Sequence, residues 1–415
     1  MTVPINRWII STVAAIVLIG SPRQAHAYSV LTHEAIIDTL WLDSIRPVLL
    51  KRFPGSSDED LNKAHAYAYG GAIIQDLGYY PFGSRYFSDL VHYVRTADFL
   101  QALLDESADL NEYAFAIGAV AHYGADVEGH SIAVNRAVPI LFPKLRRRFG
   151  NEVSYADDPP AHLKTEFGFD VLQTARGHYA SQAYHDFIGF QVSKDLLDRA
   201  FQKTYGLTLK DLFRTLDLAL GTYRFSVSTV LPNMTRAAWS IKHDEITKAQ
   251  PTASRKQFLY NLNRASFDKE WGPKYERPGV MARVLAFIFR VMPKVGPFKG
   301  LGFKVPTPQT ERMFEDSFDA AVNRDRQSLA NADSGRLRLS NRDLDTGKPV
   351  SAGEYALTDR TYDALLKKLT EKKFEAVTPE LRKNILDFYA SMKTPDRHGV
   401  DAQLAALKAF VPPAN

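Results

Sequence analysis

Three residues in one short stretch of this chain share the chemistry of metal binding. His122, Asp126 and His130 lie in Glu112–Asn135 (EYAFAIGAVAHYGADVEGHSIAVN), a run that leads in with apolar residues nearly all round. Their steps are four and four, so a continuous helix projects all three from one face. A helix apolar on every side is a buried one. A buried carboxylate without a partner is costly, and neutral imidazoles offset that cost poorly. A metal ion offsets it well, and side chains at i, i+4 are how a helix presents ligands to one. The alternative is a core histidine satisfied by the protein itself, beside an Asp that ends the helix at Gly129.

His162 and Glu166 repeat the i, i+4 pattern in AHLKTEFGFD. A single such pair is also a common surface pair on a helix; two within 45 residues strengthen the metal reading. Asp76 closes the apolar helix HAYAYGGAIIQD, and His92 sits in the apolar FSDLVHYV. Each alone reads as structural as readily as functional. His33 follows close behind Ala25-His26-Ala27, an A-x-A cleavage signal preceded by Arg7, the apolar run Trp8–Gly20 and a break at Ser21-Pro22-Arg23. That is the three-part pattern of a secretory signal peptide, and the run is short for a membrane span. Cleavage would make Tyr28 the new N-terminus. Its free amino group and its own carbonyl oxygen can chelate a metal.

These side chains need helices to hold them. Apolar residues recur at three- and four-residue spacing in Glu34–Leu50, Ala64–Ile74, Glu112–Tyr123, Leu209–Thr222 and Leu366–Leu369, while strand-like alternation is scarce. The expected fold is all-α. AQPTAS at 249–254 reads as a linker, and His398 is the only histidine after it. The expected organisation is a signal peptide at 1–27, a catalytic domain at 28–250 and a helical region at 251–415. The apolar, base-studded stretch Arg283–Lys304 reads as a core helix and loop, or as a surface for anionic membranes. The chain has no cysteine, which removes disulfides and thiolate ligands. A net charge of +5 on 415 residues is too mild to argue for nucleic acid.

Taken together, Tyr28, His33, Asp76, His92, His122, Asp126, His130, His162 and Glu166 resemble, in order and nearly in spacing, the ligand set of the zinc-dependent phospholipases C and the related fungal single-strand-specific zinc nucleases. The resemblance runs over Tyr28–Asp170 and by size covers 28–250. It departs at Tyr28, where the family usually has Trp. The step from Asp126 to His130 is four, where better-known members have six. At Leu77, choline-selective members carry an aromatic residue, and residues 251–415 have no counterpart in the short secreted enzymes.

The resemblance implies a multi-helix bundle around a three-zinc cluster and an exported, periplasmic or secreted, phosphodiester hydrolase. By it, Asp126 bridges two zincs; Tyr28 and His33 complete one, and Asp76, His92 and His122 the other. His130, His162 and Glu166 hold the third. Asp76 doubles as the group that orients the attacking water or takes its proton. The implied partner is a phospholipid or membrane surface, with single-stranded nucleic acid as the alternative substrate. A non-catalytic, zinc-stabilised exported protein is the reading from outside the enzymes.

Overall fold

A computed structural model describes residues 30–176, 190–227, 303–333, 337–392 and 400–412. Residues 1–27, Tyr28, the linker and all of Arg283–Lys304 except Phe303 and Lys304 lie outside them. Phe303 is buried against the Phe167 ring at 5.4 Å.

The described residues are helical, with a single isolated bridge between Arg342 and Pro349 in place of any sheet. In chain order the helices are α1 (Val30–Leu40), α2 (Arg46–Arg52), α3 (Asp58–Ile73), α4 (Arg85–Tyr93), α5 (Thr96–Glu106), α6 (Leu110–Glu128), α7 (Asn135–Leu141), α8 (Pro143–Phe149), α9 (Pro159–Arg176), α10 (Lys194–Tyr205), α11 (Leu216–Phe225), α12 (Pro308–Asp333), α13 (Ala356–Glu371), α14 (Pro379–Ala390) and α15 (Asp401–Ala409). None is long and apolar enough to cross a membrane.

The centre of the bundle is α6, every residue of which from Tyr113 to Val127 is buried. The Asp109 carboxylate caps it by accepting from the Asn111 and Glu112 amides. Its main partner is α3, started by a capping box between Ser57 and Asp60. Gly71 and Gly118 let these two helices meet backbone to backbone. A Cβ on Gly71 would fall 1.9 Å from the Phe115 carbonyl oxygen, and one on Gly118 would fall 2.0 Å from that of Ala68. No side chain fits at either position, so the close approach depends on both glycines.

Two helices differ from the periodicity-based reading. Glu34–Leu50 is not one regular helix, because a π-helical turn, Trp41–Ile45, separates α1 from α2. Leu209–Thr222 is broken: Thr208 and Asp211 form their own capping box around a short 3-10 turn at Leu209–Asp211, and α11 begins only at Leu216. Apolar spacing registers neither the wide turn nor the cap.

Residues 303–412 pack onto the same bundle. Helix α12 lies along α6 and the segment after it, where Arg324 Nε donates to Glu128 Oε1 at 2.6 Å. Between α12 and α13, residues 337–355 cross the ends of α4 and α5. Their course is set by a turn at Gly347, whose φ of 68° lies in the left-handed region.

Candidate metal centre

The bundle brings every described member of the predicted set together. His33 comes from α1 and His92 from α4. His122 and Asp126 come from α6, and His162 and Glu166 from α9. Asp76 sits on a 3-10 turn, Ile74–Tyr79, that continues α3. Ser88 of α4 pins this turn, donating to the Gln75 carbonyl and accepting from the Gly78 amide. His130 lies on a π-helical segment, Gly129–Val134, that prolongs α6. The helix therefore runs through Gly129. Its wider turn there lets His130 reach both Asp126 and the ring of His162. All eight side chains are at most 2 % exposed.

Their polar atoms converge on three points. The groups His33/His122/Asp126, Asp76/His92/His122 and His130/His162/Glu166 each bring one ligand atom per residue within 4.8 Å of the others. Asp126 Oδ2 lies 3.1 Å from His122 Nε2 and 3.3 Å from His92 Nε2. Asp126 Oδ1 faces the other way, 3.5 Å from His33 Nε2 and 3.7 Å from His130 Nε2. Asp76 Oδ1 is 3.5 Å from His92 Nε2, and its Oδ2 is 3.9 Å from His33 Nε2. His162 Nδ1 is 2.8 Å from Glu166 Oε1.

These spacings fit zinc. Ligand atoms arranged tetrahedrally about 2.0–2.1 Å from zinc stand about 3.3 Å from one another. Most of the contacts around Asp126 fall close to that value and are too long for hydrogen bonds. Both oxygens of Asp76, Asp126 and Glu166 and both ring nitrogens of His130 are buried with no hydrogen-bond partner. So many orphaned groups in one place call for a ligand that satisfies them together.

The histidines are also aimed. His92 Nδ1 donates to the Ser88 carbonyl at 2.8 Å, and His122 Nδ1 donates to that of Ala72 at 2.8 Å. A carbonyl only accepts, so Nδ1 carries the proton and Nε2 is left for the site. The Ala72 bond exists because α3 and α6 touch at Gly71 and Gly118. His162 is held by its other nitrogen, with Nε2 2.9 Å from Asn135 Oδ1. Asn135 was not among the predicted residues; an Asn in an apolar helical run carries no motif.

The two ends of the centre differ electrostatically. Burial works to raise the Asp126 carboxyl, but His122 and His92 outweigh it and hold the group well below the usual carboxylate range. Burial drives His33 down to about 3, helped by His122 and opposed by Asp126 and Asp76. In the third group, burial and then the charges of Asp126 and Asp76 push Glu166 well above its ordinary value. Burial and then His130 push His162 well below its own. Both shifts favour the uncharged forms of the pair.

Of the aromatic residues near Asp76 and His92, Tyr69, Tyr79, Tyr80 and Phe87 are core, Tyr67 and Tyr86 are partly buried, and Phe82 is 60 % exposed. Tyr79 packs edge-on to His92 and Tyr155 edge-on to His162.

Residues 32–214 match the family model described as zinc dependent phospholipase C. No curated protein and no solved structure matches the chain.

Proposed function

With residues 32–214 belonging to the zinc-dependent phospholipase C family, we propose that this chain is an exported hydrolase that cleaves phospholipids to diacylglycerol and a phosphorylated headgroup. The observation that supports it most is the convergence of His33, Asp76, His92, His122, Asp126, His130, His162 and Glu166 on three adjoining points, with the carboxylate oxygens unsatisfied. On this reading Asp76, His92, His122 and Asp126 hold one zinc, His33 and Asp126 a second, and His130, His162 and Glu166 a third. Tyr28, freed by cleavage after Ala27, completes the second through its amino group and carbonyl.

Bound zinc supplies a Lewis acid for phosphate oxygens and a water that ionises near neutral pH. The protein does the rest. Asp76, Asp126 and Glu166 bring three negative charges to this buried cluster, so with three dications bound it would stay net positive and would favour a phosphodiester anion and the charge it gains as it is attacked. On this reading the carboxylate of Asp76 orients the attacking water and takes its proton. The Nδ1–H bonds of His92 and His122 keep both imidazoles in register, so little rearrangement is needed during turnover.

The test uses protein beginning at Tyr28 with mixed bacterial phospholipids, following release of water-soluble phosphomonoester with and without a zinc chelator. Chelator-sensitive release is the expected result. Release from single-stranded DNA or RNA instead would move the chain to the nuclease reading. No turnover on either would leave a zinc-stabilised protein without catalysis.

A further inference from the structure

The residues that carry chemistry stop at Glu166, yet the structure ties the third ligand group to a segment nearly two hundred residues further on. The Asn135 amide stands between the two. Its Nδ2 donates to the main-chain carbonyl of Asp345 at 2.7 Å, and its Oδ1 lies 2.9 Å from His162 Nε2. The Asp345 carbonyl can only accept. It therefore fixes which end of the Asn135 amide faces it and turns the oxygen toward His162. An oxygen there requires the proton on His162 Nε2. Nδ1, the nitrogen beside Glu166, is left unprotonated and free to ligate.

The Asp345 carbonyl is itself held rigidly. The Asp345 carboxylate accepts from the Tyr93 hydroxyl at 2.8 Å and the Tyr355 hydroxyl at 2.5 Å. The preceding Leu344 amide donates to the carbonyl of His92 at 3.1 Å. Residues 341–345 thus touch the main chain of one histidine and, through Asn135, the ring of another.

We propose that Asn135 and Asp345 are positioning residues for the third metal, and that the segment 337–355 is a clasp without which this ligand group is incomplete. The inference rests on the zinc reading above. It assigns part of the C-terminal region a task within the metal centre rather than one of its own.

The experiment compares full-length mature wild type with Asn135→Ala and with the double variant Tyr93→Phe/Tyr355→Phe, which removes the two hydroxyls that donate to the Asp345 carboxylate. Zinc content is measured, as is zinc affinity by competition with a chromophoric chelator. Each protein is also reloaded with Co(II) and its visible spectrum recorded. For Asn135→Ala we expect one zinc to bind about 10–100-fold more weakly, the others to be unchanged, and the Co(II) spectrum to lose the contribution of one ion. The double Tyr→Phe variant should weaken the same zinc by a smaller factor. Wild-type zinc affinity and Co(II) spectra in both variants would overturn the positioning role while leaving the zinc reading intact. Wild type that binds no zinc would overturn both. If Asn135→Ala does not fold, the double variant decides: selective weakening of one zinc supports the clasp, and unchanged affinity for every zinc removes it.

Discussion

The group around Asp126 and the group formed by His130, His162 and Glu166 are built from the same residue types but secured differently. His92 and His122 are locked by main-chain carbonyls of helices that pack within the first hundred described residues, Ser88 and Ala72. His162 is locked by a side chain, Asn135, which depends on a carbonyl far along the chain. Charge follows the same division. Asp126 stays ionised because His122 and His92 outweigh the effect of its burial. Glu166 is pushed toward its neutral form by burial and by the carboxylates next to it. The first group has its histidines aimed by contacts local to its own helices. The second depends on the cation, and on the clasp, to become a site.

The largest effect should come from breaking the first group at its shared residue. Asp126→Asn removes the carboxylate that faces His33 on one side and His92 and His122 on the other. Turnover should fall by at least about a thousandfold. Two zincs should be loosened, while the one at His130, His162 and Glu166 is retained. Metal analysis beside a turnover assay checks this. Full activity with three zincs kept would remove Asp126 from the bridging role. Asn135→Ala is the reciprocal experiment, since it should disturb only the zinc that Asp126→Asn leaves behind.

How much of this division was readable beforehand follows from its chemistry. The ligands themselves were legible. Histidines and carboxylates at i, i+4 in an apolar helix are expensive to bury and so stand out. His130 was legible as a candidate, but not the π-helical segment that carries it past Gly129, because side-chain spacing does not encode the width of a turn. Asn135 was not legible, because its meaning depends on what its two ends touch. Asp345 was hidden more deeply: the atom that matters is a main-chain oxygen, which every residue has. The same holds for Ser88 and Ala72, whose carbonyls aim His92 and His122. Ligand identity is written in side chains, and ligand orientation here is written largely in the backbone.

A smaller effect sharpens the contrast through pH. Asp343 lies within the clasp, with its carboxyl accepting from the Thr358 hydroxyl at 2.7 Å and the Thr346 amide at 3.0 Å. Burial, and then the charge of Asp345, push it up to about 7. A group whose value is raised on folding contributes stability that is whole below its unfolded value, near pH 4, and lost as pH rises through about 7. The stability of wild type relative to Asp343→Asn should therefore fall across that interval, by on the order of 4 kcal/mol in total, and stay flat above it. Urea unfolding of both proteins at a series of pH values measures the difference. A constant difference from pH 4 to 8 would mean that Asp343 is not held neutral in the fold.

The smallest effect tests whether the clasp is one unit or several separable ties. Helix α5 lacks a cap of its own. The residue before it, Arg95, sits in the left-handed region at φ 49° and offers no side-chain acceptor. Asn341 supplies one from the clasp: its Oδ1 accepts from the Ala97 amide at 2.9 Å and the Asp98 amide at 3.2 Å. The cap of a helix in the family-matched region is thus borrowed from the C-terminal region, and losing a cap of this kind costs about 1 kcal/mol. Asn341→Ala should lower stability by about that amount. Zinc affinity should be untouched, because the adjacent pair in which Thr96 Oγ1 donates to the Arg342 carbonyl and accepts from its amide keeps the segment in place. Differential scanning calorimetry together with the chelator competition separates the two quantities. A variant that loses a zinc as readily as Asn135→Ala would show that the cap and the metal lock act as one, and that the clasp detaches as a whole.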